Sequence, residues 1–564
     1  MMHKEKLKSL LLTFLVVTSV VLTQRVWFHS PLQLITSEAS YLEEAEILEQ
    51  ERARIIRPVS IVAGFGGGVE NSHYSLIKPQ DLDRFWQELQ VILKDHFISE
   101  PTVQVVSYED YQQVKGSRSI ELHFAEGFPA ALLATLYDQQ ENQVTAVLSQ
   151  ISRVLIPGRY LGTLYMVDEV GTTYEFRITQ QQMTAATDPG ELLDSIPVNS
   201  YVKYYPLFSY AGNEVLLPLT HQNNLPRLFT ESEVDVSSDQ QMNLWAGRFF
   251  NENFDFVKTI QETGGTRIYM YGYGQQEVRI TNRGRLEYTA ETGNQSSTSV
   301  GKALDTALLF MARHGGLNAD LVLQEVKLLE HNNQRGYRFT FSYRLRELPV
   351  ALSRQQQPVE IDVYGNSVRS YRTFIRRPMS LPEVLPESGI LSPHRLVEEN
   401  FNQLLAEMAA ARGFSEPATG IDTTTPPGDE TARDPENAAE PEREGLQPAL
   451  EQKDSTESLN PTDTVQPNAQ EPSYQPSAES SSEAMPAPSS DHDSGTLPET
   501  SSFSGDELLQ AIESIELIYL DREDTHRRQL MVPVWRLIIE NRVYDYDAHE
   551  GVRINTFTLT EREL

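Results

Sequence analysis

Cysteine is absent from the 564-residue chain. That excludes a disulfide scaffold, thiolate metal sites, a cysteine nucleophile and a lipid-modified N-terminal cysteine. Core size must stabilise the folded parts instead, and this length accommodates roughly three or four domains. Positive charge is also scarce. The chain has 47 Lys and Arg against 80 Asp and Glu, a net charge of −33. Such a chain repels nucleic acid and anionic headgroups, so no nucleic-acid partner is expected.

The signatures of catalysis are missing as well. There is no His-Glu-x-x-His zinc motif and no Gly-x-Ser-x-Gly elbow. The 12 histidines are scattered, none within a helical turn of another, so a zinc site would need distant loops. Gly64-Phe65-Gly66-Gly67-Gly68 follows a short strand. It lacks the glycine spacing of a dinucleotide fingerprint and the Lys-Ser/Thr of a phosphate loop, and reads as a turn. Asp545-Tyr546-Asp547-Ala548-His549-Glu550-Gly551 resembles a calcium loop. Its glycine comes one position late and the closing glutamate is missing, so it reads as a hairpin turn with solvated carboxylates. No catalytic, cofactor-binding or metal residue is assigned, no cofactor is expected, and the chain reads as a non-enzymatic binding or sensing protein.

Long apolar runs are equally rare. One, Leu10 to Thr23, lies between Lys4, Lys6 and Lys8 on one side and Arg25, Trp27 and Phe28 on the other. A full span needs about 20 residues. Snorkelling by Lys8 and Arg25 extends this one, and Trp27 and Phe28 suit the far interface. We therefore expect a cytoplasmic tail at 1–8, an uncleaved anchor at 9–28 and an extracytoplasmic remainder, with the lysines holding the N-terminus inside. A cleaved signal peptide is the competing reading, although no Ala-x-Ala-like site follows the run.

Beyond the anchor, the sequence predicts a charged juxtamembrane helix at 29–57, ended by Pro58. An N-terminal extracytoplasmic domain is expected at 58–235, a middle domain at 239–378, and a C-terminal domain from 379–414 plus 503–564. Leu82, Phe85, Trp86, Leu89, Ile92 and Leu93 recur at helical spacing over Asp81–His96, with Asp81 as the cap. Ile120, Leu122 and Phe124 alternate as a strand with one buried face. Hairpins are marked by Asn282-Arg283-Gly284 and Gly365-Asn366. Tyr337, Phe339, Phe341 and Tyr343 alternate as strand core. A helix followed by hairpins occurs at 299–376 and again at 393–413 with 508–550, a repeat of arrangement but not of residues. The fold class is α+β with mostly antiparallel sheets. Between Ser415 and Thr500, 19 acidic residues stand against Arg433, Arg443 and Lys453. With few aliphatic clusters, the acidic Pro/Ser-rich insert at 415–502 is expected to be disordered.

Several segments carry a family resemblance. They are Met2 to Trp27, Ile56-Arg57-Pro58, Phe85-Trp86, Ser119 to Phe124, Val278 to Tyr288, Tyr337 to Val350 and Val363-Tyr364-Gly365. Taken in order, they resemble YycH, the membrane-anchored extracytoplasmic regulator of the YycG (WalK) sensor kinase. Val532-Pro533-Val534-Trp535, Tyr546-Asp547-Ala548 and Gly551 look like its C-terminal module, shared with the companion protein YycI. The acidic insert departs from the shorter family pattern. The resemblance implies a regulator that acts with a YycI-like protein on an essential sensor histidine kinase controlling cell-wall metabolism, partly through transmembrane-helix contacts. Within the anchor, Thr13, Thr18 and Ser19 are the expected contact residues, because small polar side chains permit close helix approach. Simple tolerance in a span is the other reading of those three. The alternative function is an extracytoplasmic binder of envelope polymer or peptide with no kinase partner. Limited proteolysis is expected to cut first between Ser415 and Ser502, and resistance there would refute disorder.

Overall fold

The computed structural model describes residues 37–413 and 503–559, apart from 68–71, 140, 185–186, 198–200, 219–224, 294–295, 318–319, 332–333, 355–356, 381–388 and 523–527. For 37–43 and 251–252 it describes the backbone alone. The expected anchor with Thr13, Thr18 and Ser19, and the acidic insert at 415–502, lie outside the described residues. Among the described residues, no helix is long and apolar enough to cross a membrane. The described residues from Ser37 to Gly413 and from Phe503 to Leu559 form one compact α+β unit.

The segment expected to follow the anchor is helical from Ser37 to Ile55. Pro58 follows close behind, and Ile55 and Ile56 are buried as the chain turns into the first strand. The first sheet has nine described strands, in the order Thr102–Val106, Thr173–Arg177, Thr163–Val167, Arg153–Pro157, Arg118–His123, Ser60–Phe65, Tyr74–Leu76, Tyr204–Tyr205 and Leu217–Pro218. The helix Pro79–Ile98 buries the apolar stripe expected of it, from Leu82 to Leu93, in the same core as Ile61, Ile120, Leu122 and Ile156. Its start differs from expectation. Lys78 takes the cap position without a side-chain cap bond, Pro79 opens the first turn, and Asp81 lies inside that turn. Proline suits the first helical position because its missing N–H would have no partner there, and Asp81 still meets the positive end of the helix dipole.

The second sheet has 15 described strands. Gln276–Ile280 pairs with Leu286–Ala290 through the expected turn, where Gly284 has φ of +89°. A Cβ on Gly284 would lie 1.9 Å from Ser232 Oγ, so the turn and the close approach both require glycine. Ser299 caps the helix Val300–His314 by accepting from the Lys302 N–H. Ala303, Leu304, Ala307, Leu308 and Met311 are buried as this helix packs on Gln334–Leu345, Val359–Tyr364 and Ser367–Thr373. Burying a side chain such as Leu304 contributes roughly 1.5–3 kcal/mol. Phe339, Phe341 and Tyr343 lie in this core, as their alternation predicts.

The arrangement then recurs. The helix Val300–His314 is followed by Asp320–His331, Gln334–Leu345, Val359–Tyr364 and Ser367–Thr373 as an antiparallel meander. The helix Pro393–Ala411 is followed, past the insert, by Ile512–Asp521, Arg528–Ile539, Arg542–Asp547 and Arg553–Thr558. Each meander carries a cross-strand bidentate pair, Arg338 on Asp362 and Arg536 on Asp545, both at 2.7 and 2.9 Å. The two meanders join through a parallel pairing of Leu348–Leu352 with Ile512–Asp521.

That junction is locked by charge. Arg376 Nε donates to Asp521 Oδ2 at 2.6 Å, and both side chains are fully buried. Tyr343 Oη accepts from the Arg376 backbone N–H at 3.0 Å. Removing one member strands a charge in the core, which typically costs about 3–5 kcal/mol. Asp521→Ala is therefore expected to lower the unfolding free energy of the detergent-solubilised chain by about that much. Arg376→Met combined with Asp521→Leu should recover most of the loss, as read from urea midpoints.

Candidate functional site: a docked helix and an arginine-lined cavity

The helix Ser37–Ile55 is too polar to dock by an apolar stripe, although Leu48 packs partly against the core. It is held chiefly by ion pairs to residues far along the chain. Arg52 donates through Nε and Nη2 to the two carboxylate oxygens of Asp305, on the helix Val300–His314. Arg313, on that same helix, pairs with Glu44. Arg54 donates to the Leu317 carbonyl at 3.1 Å. The hydrogen bond to Asp305 raises the Arg52 pKa, against desolvation, so Arg52 keeps its charge in this contact.

Beyond the helix, Arg57 is only 7% exposed. It donates to Asp83, on the helix Pro79–Ile98, and at 3.3 Å to Asp320, where the first meander of the second sheet begins. Arg344 joins the cluster, 3.8 Å from Asp320 and donating to the Val59 carbonyl at 3.2 Å. A helix crossing adds a steric contact, since a Cβ on Gly301 would lie 2.7 Å from Thr135 Oγ1. The helix that leaves the expected anchor is thus tied both to the first sheet's main helix and to the second sheet.

A second feature lies in the C-terminal meander. Arg227, Arg522, Arg528 and Arg553 surround a cavity of about 660 Å³ with Leu530, Val532 and Ile554 among its walls. The loop expected to hold solvated carboxylates forms part of it, and that expectation is corrected. Asp545 and Asp547 are buried. Asp545 is held by Arg536 and Asn555. Asp547 Oδ2 accepts from Arg227 at 2.9 Å, while its Oδ1 accepts the backbone N–H groups of His549 and Glu550. These oxygens are committed to arginine and backbone donors. Among the described residues, no group of three or more His, Cys, Asp or Glu is placed to hold a metal ion.

Residues 5–164 match the family model described as the YycH protein, N-terminal domain. Over that segment the chain carries a YycH-family N-terminal domain. No curated protein matches the chain. Among solved structures, it is similar to an uncharacterized protein from Eubacterium rectale determined at 1.45 Å resolution, with 10% identity, a TM-score of 0.30, and coverage of 59% of this chain and 86% of that one.

Within this YycH-family segment, Glu121 departs from the expected strand pattern. The alternation of Ile120, Leu122 and Phe124 puts Glu121 on the opposite face, which is covered by Tyr108–Lys115 and leaves Glu121 2% exposed. Lys115 Nζ is 3.1 Å away, His123 Nε2 is 2.9 Å away, and Tyr111 Oη donates to it. Burial alone would raise the Glu121 pKa, but Lys115, His123 and the hydrogen bonds from His123 and Tyr111 outweigh it and hold it well below the usual carboxylate range. A carboxylate depressed on folding contributes stability that is fully present above its unfolded pKa of about 4.3 and lost as pH falls through the folded value. Glu121→Gln should cost about 3–5 kcal/mol at neutral pH, because Lys115 loses its counter-charge. It should also flatten the fall in melting temperature below about pH 5; an unchanged acid limb would contradict this assignment.

Proposed function

We propose that this chain is a membrane-anchored regulator of a YycG/WalK-like sensor histidine kinase, working with a YycI-like anchored partner. The observation that carries the reading is the match of residues 5–164 to the YycH N-terminal domain. The docked helix supplies a physical route. It leaves the expected anchor and is bound to both sheets through Arg52, Arg54 and Arg57. A change felt by the folded body is then passed to the anchor as a movement of one helix, not dissipated in a tether.

Under this proposal Thr13, Thr18 and Ser19 meet the kinase helices, with the N-terminus cytoplasmic and the bulk of the chain outside. The regulator shifts the kinase only if it binds the kinase's active and inactive states unequally, and each tenfold difference corresponds to about 1.4 kcal/mol. The folding segments 58–235, 239–378 and 379–414 with 503–564 supply the rigid body.

The test is reconstitution of kinase, partner and this chain in proteoliposomes, reading kinase autophosphorylation. Replacing 9–28 with an unrelated transmembrane helix is expected to abolish regulation. Arg52→Glu should weaken regulation, and adding Asp305→Arg should restore it. Retained regulation with the foreign helix would rule out helix contacts. Failure to recover a histidine kinase or a YycI-like protein in membrane pull-downs would remove the regulator reading itself.

A further inference from the structure

The cavity of the C-terminal meander is unusual in sign. On a chain with a net charge of −33, four guanidinium groups converge on one opening. Two are fixed by carboxylates. Arg227 is held by Asp547 and Glu550 at 2.9 and 2.8 Å, and Arg553 Nη1 lies 2.7 and 2.8 Å from the two oxygens of Glu407. The other two are exposed. Arg528 has its nearest described carboxylate, Glu231, at 3.9 Å, beyond hydrogen-bond reach. Arg522 shows no ion pair among the described residues. Two held guanidinium groups beside two exposed ones present paired N–H donors that suit the oxygens of a carboxylate or phosphate.

A further feature chooses between kinds of anion. The walls include Leu530, Val532 and Ile554, together with Val552, which is 59% exposed. A phosphate polymer gains nothing from such a surface, whereas aliphatic side chains do. The cavity volume of about 660 Å³ is also ample for several side chains.

We propose that this cavity binds an acidic peptide segment of a partner protein, with carboxylates on Arg522 and Arg528 and interleaved apolar side chains on Val532, Val552 and Ile554. The site is independent of the kinase-regulator reading and can stand or fall without it.

The experiment uses the full-length chain in nanodiscs and a short fluorescent peptide of alternating Glu and Val, blocked at both ends, with binding read by anisotropy. Alternating Glu-Ser and Lys-Val peptides and long-chain polyphosphate serve as comparisons. The Glu-Val peptide is expected to bind most tightly and to weaken steeply with salt. Arg522→Ala with Arg528→Ala should weaken it by about tenfold or more, and Val552→Ser should weaken it without affecting the Glu-Ser peptide. Both arginines are exposed, and an unchanged melting temperature will separate loss of binding from loss of fold. Tighter binding of polyphosphate that ignores Val552→Ser would replace this proposal with a polyanion site. Absence of peptide binding, or binding indifferent to the two arginines, would overturn it.

Discussion

The guanidinium of Arg57 sits where three parts of the chain meet. It follows the helix Ser37–Ile55, lies against Asp83 of the first sheet's main helix, and reaches Asp320 at the start of the second sheet's first meander. A charge this buried is tolerable only if opposite charges share its site. Asp83 and Asp320 fill that need while staying partly exposed, so much of the desolvation falls on Arg57 itself. The consequence is geometric. With Ile55 and Ile56 buried on one side and Pro58 ending the helix on the other, the helix has one exit direction and one place to lie.

The second sheet depends on a comparable buried pair. Two helix-plus-meander units, the second of them interrupted in sequence by the acidic insert, meet along a short parallel pairing, and Arg376 with Asp521 seals the end of it. A buried ion pair adds little net stability compared with apolar groups of the same shape. It does penalise any register that separates its members, and so fixes how the meanders join. Coupling between distant sites needs elements that move together, and the chain Asp521–Arg376, sheet, helix Val300–His314, Arg52 and Arg57 provides a contiguous set.

Local chemistry made much of this fold legible. The helices Pro79–Ile98 and Val300–His314 were readable because their apolar residues recur at helical spacing and face one core. The Gly284 turn was readable because glycine, whose φ here is +89°, is the residue that such a turn requires. What the sequence concealed was long-range charge. Glu121 reads as the wet face of a half-buried strand, and only the covering helix Tyr108–Lys115, with Lys115, makes it buried. Asp545 and Asp547 read as loop carboxylates until Arg536 and Arg227 arrive from other strands. The helix dock and the arginine-lined cavity were invisible for the same reason, since pairs such as Arg52 with Asp305 leave no local periodicity. Of the site residues expected from the sequence, Thr13, Thr18 and Ser19 lie outside the described residues, so the dock is the nearest part of the mechanism that geometry reaches.

The account rests on the helix Ser37–Ile55 being fixed to the folded body. The chain's lack of cysteine makes this directly measurable, because labels attach only where cysteine is introduced. Spin labels at Glu49→Cys and Glu330→Cys, both exposed positions, would report the helix-to-sheet distance by pulsed electron–electron double resonance in nanodiscs. A narrow single distribution, broadened by Arg57→Ala, is the predicted result. A distribution as broad as that of a flexible tether in the unaltered chain would contradict the docked helix and the route built on it.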